Sequence, residues 1–260
     1  MVEISGVVAS RRHLGALWVH NDSGDSAKIY GLTETGTLHT EVELNGVTAS
    51  DFEDIAMGRN AFGEPTVMLA DIGDNAQKRE HIVLHQFGEP DWGPSESTQS
   101  VDTVSSYPLR YPDGAHDAET LLFDPWTESW VIVTKSLTGE SHVYSIDSSA
   151  LGQQNVLEKQ GTLQFGSAPL IGGTTVTAGD IGPHGHYIAM RTYTHIFVWK
   201  RATGTPLWEA LQQDPCVVYP ESEPQGEALG FASSGMELFS ISEGRDQPIF
   251  HYKVATTPTD

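Results

Sequence analysis

Short apolar stretches broken by turn residues run along this chain, and they follow one plan repeated five times. In each repeat, an apolar strand with one small or acidic residue leads into a turn. A second strand ending in a polar residue follows, and then a third strand carrying Tyr, Phe or Trp. The first repeat reads ISGVVAS, ALWVHNDSGD and KIYGL, and the second FEDIAMG, TVMLADIGDN and HIVLHQF. The third reads DAETLLFDP, WVIVTKS and HVYSI, the fourth AGDIGPHG, YIAMRTY and HIFVWK, and the fifth GEALGFAS, ELFSISEG and IFHYK. Alternating and β-branched positions predict strands, and Pro183-His184-Gly185 and Ser233-Ser234-Gly235 are turn signals. Outer fourth strands are expected at residues 38–44, 101–109, 157–165 and 217–219, and one short helix at 206–213 (PLWEALQQ).

Repeats of roughly 40 to 60 residues, each a small antiparallel sheet, are the mark of propeller blades. The fold class is therefore all-β, a five-bladed β-propeller with a central axial metal site. It is expected as one domain over residues 1–253 with a C-terminal tail over 254–260. A sixth blade would have to come from residues 88–112 or 161–177, and neither segment contains the repeat. The fifth repeat stops at its third strand, which leaves the closing of the ring open.

Composition narrows the function. Fourteen Lys and Arg stand against 35 Asp and Glu, a formal net charge of −21, which argues against nucleic acid and anionic membrane surfaces as partners. No run approaches the roughly 20 apolar residues that span a bilayer. A small-molecule substrate or ligand and a monomeric state are expected; the compartment is left open, cytoplasmic or a trimmed secreted form. The one cysteine, Cys216, gives neither a disulfide nor a thiolate metal site and reads as a core filler.

Innermost propeller strands run along the axis, so matching positions form rings. Aligning the first strands puts Ser5, Glu53, Glu119, Asp180 and Glu227 at one level. Buried carboxylates converging on an axis repel and partly protonate unless a cation neutralises them. Hard oxygen donors without Cys favour Ca²⁺. The ends of the second strands supply Asp22, Asp71, Lys135, Arg191 and Glu243, a ring of mixed sign suited to a polar substrate. The Asp-x-Gly-Asp pairs, Asp22 with Asp25 and Asp71 with Asp74, read either as capped turns or as a base and its support. His20 and His116 read as structural histidines or as bases. No Walker, G-x-S-x-G or H-E-x-x-H motif is present.

At the first-strand residues the chain resembles the calcium-activated nucleotidases, the apyrase family of five-bladed propellers. That family places Ser, Glu, Glu, Ser and Glu around an axial Ca²⁺. The matching contexts here are Ile4-Ser5-Gly6, Phe52-Glu53-Asp54, Ala118-Glu119-Thr120, Gly179-Asp180-Ile181 and Gly226-Glu227-Ala228, with Asp180 departing from the family's Ser. The wider pattern of HNDSGD, DIGDN, HDAE and EPQGEA is also similar to a group of uncharacterised bacterial propellers.

The resemblance implies the fold and the axial Ca²⁺ site; with the mixed-sign ring, the expected function is a Ca²⁺-dependent hydrolase acting on a small phosphorylated substrate, or on an ester or lactone. Asp22 or Asp71 would accept a proton, and Lys135 and Arg191 would balance substrate charge. The alternative is a non-catalytic binding module in which Ca²⁺ is structural. Glycoside hydrolysis would need two carboxylates in an open cleft with aromatic walls, for which Trp18, Trp92, Trp126 and Trp130 are the candidates.

Overall fold

The computed structural model describes residues 3–22, 24–95, 97–166, 173–220 and 223–253. Five antiparallel sheets form five blades. The first comprises β1 (Ile4–Ala9), β2 (Ala16–Asn21), β3 (Lys28–Thr33) and β4 (Leu38–Leu44). The second comprises β5 (Phe52–Arg59), β6 (Pro65–Asp71), β7 (Ile82–Gly88) and β9 (Ser105–Leu109). Between the last two strands, β8 (Ser97–Val101) leaves this blade and pairs in parallel with β4 as a fifth strand of the first. The segment expected as one outer strand at 101–109 is thus two, one on each of two neighbouring blades.

The third blade is β10 (Ala118–Asp124), β11 (Ser129–Thr134), β12 (Glu140–Asp147) and β13 (Glu158–Gln164). The fourth is β14 (Val176–Ile181), β15 (Tyr187–Thr192), β16 (Ile196–Lys200) and β17 (Cys216–Val218), with the helix α1 (Leu207–Leu211) before β17. The fifth has β18 (Gly226–Phe231), β19 (Glu237–Ser242) and β20 (Ile249–Lys253). Cys216 lies on the edge strand β17 with its side chain exposed, not in the core. The tail over 254–260 lies outside the described residues.

Each blade is sandwiched between two others, so its strands are buried on both faces and read as continuous apolar runs. The inner strands β5, β10, β14 and β18 are buried almost throughout. The core divides into five clusters, one per seam between blades. Trp130 and Tyr144 fill the seam of the second and third blades, and Trp18 and Phe87 that of the first and second. Burying each such side chain stabilises the fold by about 1.5–3 kcal/mol. The turns follow the sequence signals: Gly235 closes a turn onto the Ala232 carbonyl at 2.8 Å with φ of 71°, a conformation that glycine adopts without strain.

The ring closes where β18 packs against β1. Val7, Leu17 and Val19 of the first blade meet Ala228, Phe239 and Ile241 of the fifth in one apolar cluster. No strand is shared across this seam among the described residues, so the two inner strands must approach closely. Gly230 permits it, because a Cβ there would overlap the Val7 carbonyl oxygen. Gly230→Ala is expected to destabilise the chain by about 1–3 kcal/mol, as overpacking does, in denaturant unfolding. Gly88→Ala, whose Cβ meets nothing within 4 Å, should leave stability unchanged or slightly raised.

Candidate functional site

All five inner strands begin with the same irregularity. Their pairing with the second strand slips between Ile4 and Gly6, Phe52 and Asp54, Ala118 and Thr120, Val176 and Ala178, and Gly226 and Ala228. One residue is left over in each case, and a bulge re-aims the side chain it carries. The ring at this end of the channel is therefore Ser5, Glu53, Glu119, Thr177 and Glu227. Four match the aligned set; the fourth blade contributes Thr177 rather than Asp180.

Asp180 sits three residues deeper. Its carboxylate accepts the Ile181 N–H at 2.8 Å and the Phe231 N–H at 2.7 Å, tying the fourth blade to the fifth. Burial raises its pKa to about 6. Asp54 is built alike, accepting Ile55 N–H at 2.8 Å and Leu121 N–H at 2.7 Å across the seam of the second and third blades. The hydroxyls of the ring also stitch blades: Ser5 Oγ donates to the Glu53 carbonyl at 2.8 Å and Thr177 Oγ1 to the Gly226 carbonyl at 2.9 Å.

The second ring is sorted by the same pairings. Asn21, Asp71, Thr134, Thr192 and Ser242 lie opposite the residues that precede the bulges, so the next level is Asp22, Ile72, Lys135, Tyr193 and Glu243. The Lys135 ammonium donates to Glu119 Oε1. Tyr193 Oη and Gln225 Nε2 donate to Glu227 Oε1 at 3.0 and 2.8 Å. Glu243 lies against Glu227; burial, then its hydrogen bond and the Glu227 charge, raise its pKa to about 8.

Asp71 and Arg191 lie one and two residues before this level on their strands and do other work. Asp71 accepts the Ser50 and Asp51 N–H groups at 3.3 and 3.1 Å and pairs with Arg79 at 2.7 Å, which fixes the loop carrying Asp51. Arg191 is packed inside the seam of the fourth and fifth blades, with none of its surface exposed. Its fully buried guanidinium is spent on Glu223 at 2.8 Å, on Ser240 and on the Thr192 carbonyl. The Asp-x-Gly-Asp turns are scaffolds at their far ends: Asp25 accepts from Asn21, Ser26 and Tyr30, and Asp74 from the Arg79 N–H.

Charge is concentrated where the first two blades meet. One carboxylate oxygen each from Asp22, Asp51 and Glu53 lie within 4.8 Å of one another. Burial, then the charges of Asp22 and Asp51, push the Glu53 carboxyl up to about 10, with Lys135 opposing. Glu119, only 4% exposed, keeps Oε2 buried with no hydrogen-bond partner. Gly73 makes room for the cluster, since a Cβ there would strike Glu53 Oε1 and the Asp51 carboxylate.

Sequence reasoning passed over Asp51, Gly73, Thr177 and Tyr193. Asp51 was legible as the first acid of Asp51-Phe52-Glu53-Asp54; the others depend on register. His20 is fully buried, its Nδ1 on the Asn21 carbonyl and its pKa lowered to about 4, and His116 bonds Asp113 and Tyr144. Neither faces the cluster. Trp18 and Trp130 are core residues, Trp92 stacks on His39, and Trp126 lies under Arg201. None of these four tryptophans belongs to the two rings at the mouth.

No family model matches the chain, and no curated protein matches it. Among solved structures, a chain in the crystal structure of the mitotic checkpoint complex is similar at a TM-score of 0.44 and 10% identity, over 96% of this chain and 63% of that one. A chain of a humanized mutant of the Chaetomium thermophilum Polycomb Repressive Complex 2 bound to the inhibitor GSK126 is similar at 0.46 and 16% identity, over 80% and 39%. This chain thus spans less than two thirds of either. At such values the likeness does not bear on function, and the propeller rests on its own strand pairing.

A buried acid whose pKa is raised holds its proton more tightly folded than unfolded. Its contribution to stability is full below the ordinary value of 4.5 and falls as pH climbs towards about 10. In chelator, Glu53→Gln should therefore melt a few degrees above the parent at pH 8, a gain on the order of 1–2 kcal/mol. At pH 5, close to the ordinary carboxyl value, the unfolded chain loses most of its preference for the ionised form and the two melting curves should nearly converge. Equal differences at both pH values would show that Glu53 takes up no proton on folding.

Proposed function

We infer that this mouth of the channel holds a divalent cation, Ca²⁺ on donor chemistry, and that the chain is a metal-dependent hydrolase of a small phosphorylated, ester or lactone substrate. The observation that carries this reading is the convergence of Asp22, Asp51 and Glu53 beside the unpartnered Oε2 of Glu119. These are hard oxygen donors, with neither Cys nor His among them, and a cation would remove the repulsion that raises Glu53. With Thr177 in place of Asp180, the ring of Ser5, Glu53, Glu119, a hydroxyl and Glu227 follows the order of the calcium-activated nucleotidases more closely. Asp180 drops out as a ligand, because backbone N–H groups occupy both its oxygens.

The bound cation supplies polarisation of a phosphoryl or carbonyl oxygen and a more acidic water. The chain's own residues orient and exchange protons around it. Lys135 holds Glu119 in place and brings positive charge towards an anionic substrate. Glu243, whose pKa is raised by burial and by its hydrogen bond to Glu227, is the general-acid candidate. Asp22, half-buried at the rim, is the base candidate. Asp71 serves as a positioning residue through Asp51, and Arg191 has no part in the chemistry.

A second reading has its own support: the cluster draws Asp22 from the first blade and Asp51 and Glu53 from the second, so an ion there would fasten two blades and serve structure alone. Metal analysis of the purified protein, then melting in EGTA and in Ca²⁺, tests the site. About one Ca²⁺ per chain and a melting point raised by several degrees are expected, as mass action on a site filled well above its Kd requires. Screening nucleotides, phosphoesters and lactones separates the readings. Turnover that falls at least about tenfold in Lys135→Met, with the Ca²⁺ shift retained, supports the hydrolase. A shift with no turnover leaves the structural ion, and no shift removes the metal altogether.

A further inference from the structure

The inner strands all start at the acidic mouth, so their far ends meet at the other end of the channel, roughly 20 Å away at the rise of a strand. There the loops after β1, β10 and β14 and the end of β5 enclose a cavity of about 280 Å³. Its walls include Phe123, Ile181 and Pro183, and its charged groups are Arg11 and Arg59. The Arg11 main chain is pinned, its N–H donating to the Glu89 carboxylate at 3.1 Å. Its guanidinium is not: Nη1 is buried and has no hydrogen-bond partner. Arg59 is exposed at the end of β5 and makes no ion pair among the described residues. Arg12 next door is the contrast, paired with Asp91 at 2.7 Å and donating to the Glu89 carbonyl at 2.9 Å.

Two carboxylates act on Arg11 from nearby, Asp180 and Glu89. Asp180 spends its oxygens on two backbone N–H groups, and Glu89 accepts from Ser10, Trp18 and the Arg11 backbone. Neither forms an ion pair with the guanidinium. Two cationic forks thus face one small cavity in a chain whose net charge of −21 repels anions elsewhere.

We propose that this end of the channel binds a small oxyanion, a phosphate or carboxylate group gripped by Arg11 and Arg59. Guanidinium groups match the oxygen spacing of both anions, and Arg11 and Arg59 line the same pocket. Burial, the main influence, and the like charge of Arg59 both lower the Arg11 pKa, and an anion between the two would relieve both.

The test is a titration of the intact chain in chelator, so that failure of the metal reading leaves it untouched. Inorganic phosphate and succinate are added separately at constant ionic strength, with binding followed by calorimetry and by melting temperature. Saturable binding of either anion is expected, and the stronger of the two identifies the class. Binding should weaken at least about tenfold in Arg11→Met and in Arg59→Met, the loss of one charge-assisted contact, and stay unchanged in Arg12→Met. Arg59 is exposed, so its variant should fold even where the Arg11 variant does not. A melting shift that is equal in all variants, or does not saturate, is a general salt effect and overturns the proposal. So does the absence of binding by both anions.

Discussion

In a closed ring of blades no sheet has a free face, and this constraint organises the rest of the molecule. Every strand between the outermost ones must be apolar on both sides, and every seam must be filled from two blades at once. The five apolar clusters meet that demand. The seam of the fourth and fifth blades is the leanest of them, and there the buried Arg191–Glu223–Ser240 network fills part of the space. Such a network holds only while all its members are satisfied. Gly226, where a Cβ would overlap the Arg191 guanidinium, is the backbone concession that lets it fit.

Closing the ring also forces five strand starts onto one axis, and the bulge decides what they present. A regular strand would alternate its side chains between the two seams. The extra residue breaks that alternation once, at the same place in every blade, and turns one side chain towards the axis. Hydroxyls at Ser5 and Thr177 use this to bond the next blade, whereas Glu53, Glu119 and Glu227 bring charge. The repeated bulge is thus at once a seam device and the source of the acidic mouth.

The repeat, the blade count and most of the acidic ring were legible because apolar runs and turn residues mark each blade directly. What failed was register. Asp180-Ile181 resembles Asp54-Ile55 in sequence, and both Asp side chains do cap the Ile N–H that follows. The dipeptide lies one residue after the bulge in the second blade and three after it in the fourth, and only strand pairing tells these apart. Arg191 looked available because it stands at the end of a second strand; Glu223, its partner, heads the EPQGEA stretch, and only the packed seam brings the two together. Cys216 read as core because it precedes Val217-Val218, but the strand it belongs to is the outer edge of its blade. The pair Arg11 and Arg59 could not be read at all, since each ends a different inner strand and only the closed ring brings them together.

Counting carboxylates does not separate the acids that the fold satisfies from those it leaves short of partners; counting their donors does. Asp54 and Asp180 are as buried as Glu53, yet each receives backbone N–H groups from its own and a neighbouring strand, so its charge is solvated by the fold itself. Asp124 is likewise answered, by both arms of Arg201 at 2.8 and 3.1 Å. Glu53 has other carboxylates as its nearest charges, and Glu119 has one oxygen on Lys135 and one on nothing. The Arg11 guanidinium is the mirror case at the far end of the same channel. An ionisable group that the fold buries without completing its hydrogen bonds raises the free energy of the empty protein. Glu119 at one end of this channel and Arg11 at the other are two such groups, of opposite charge.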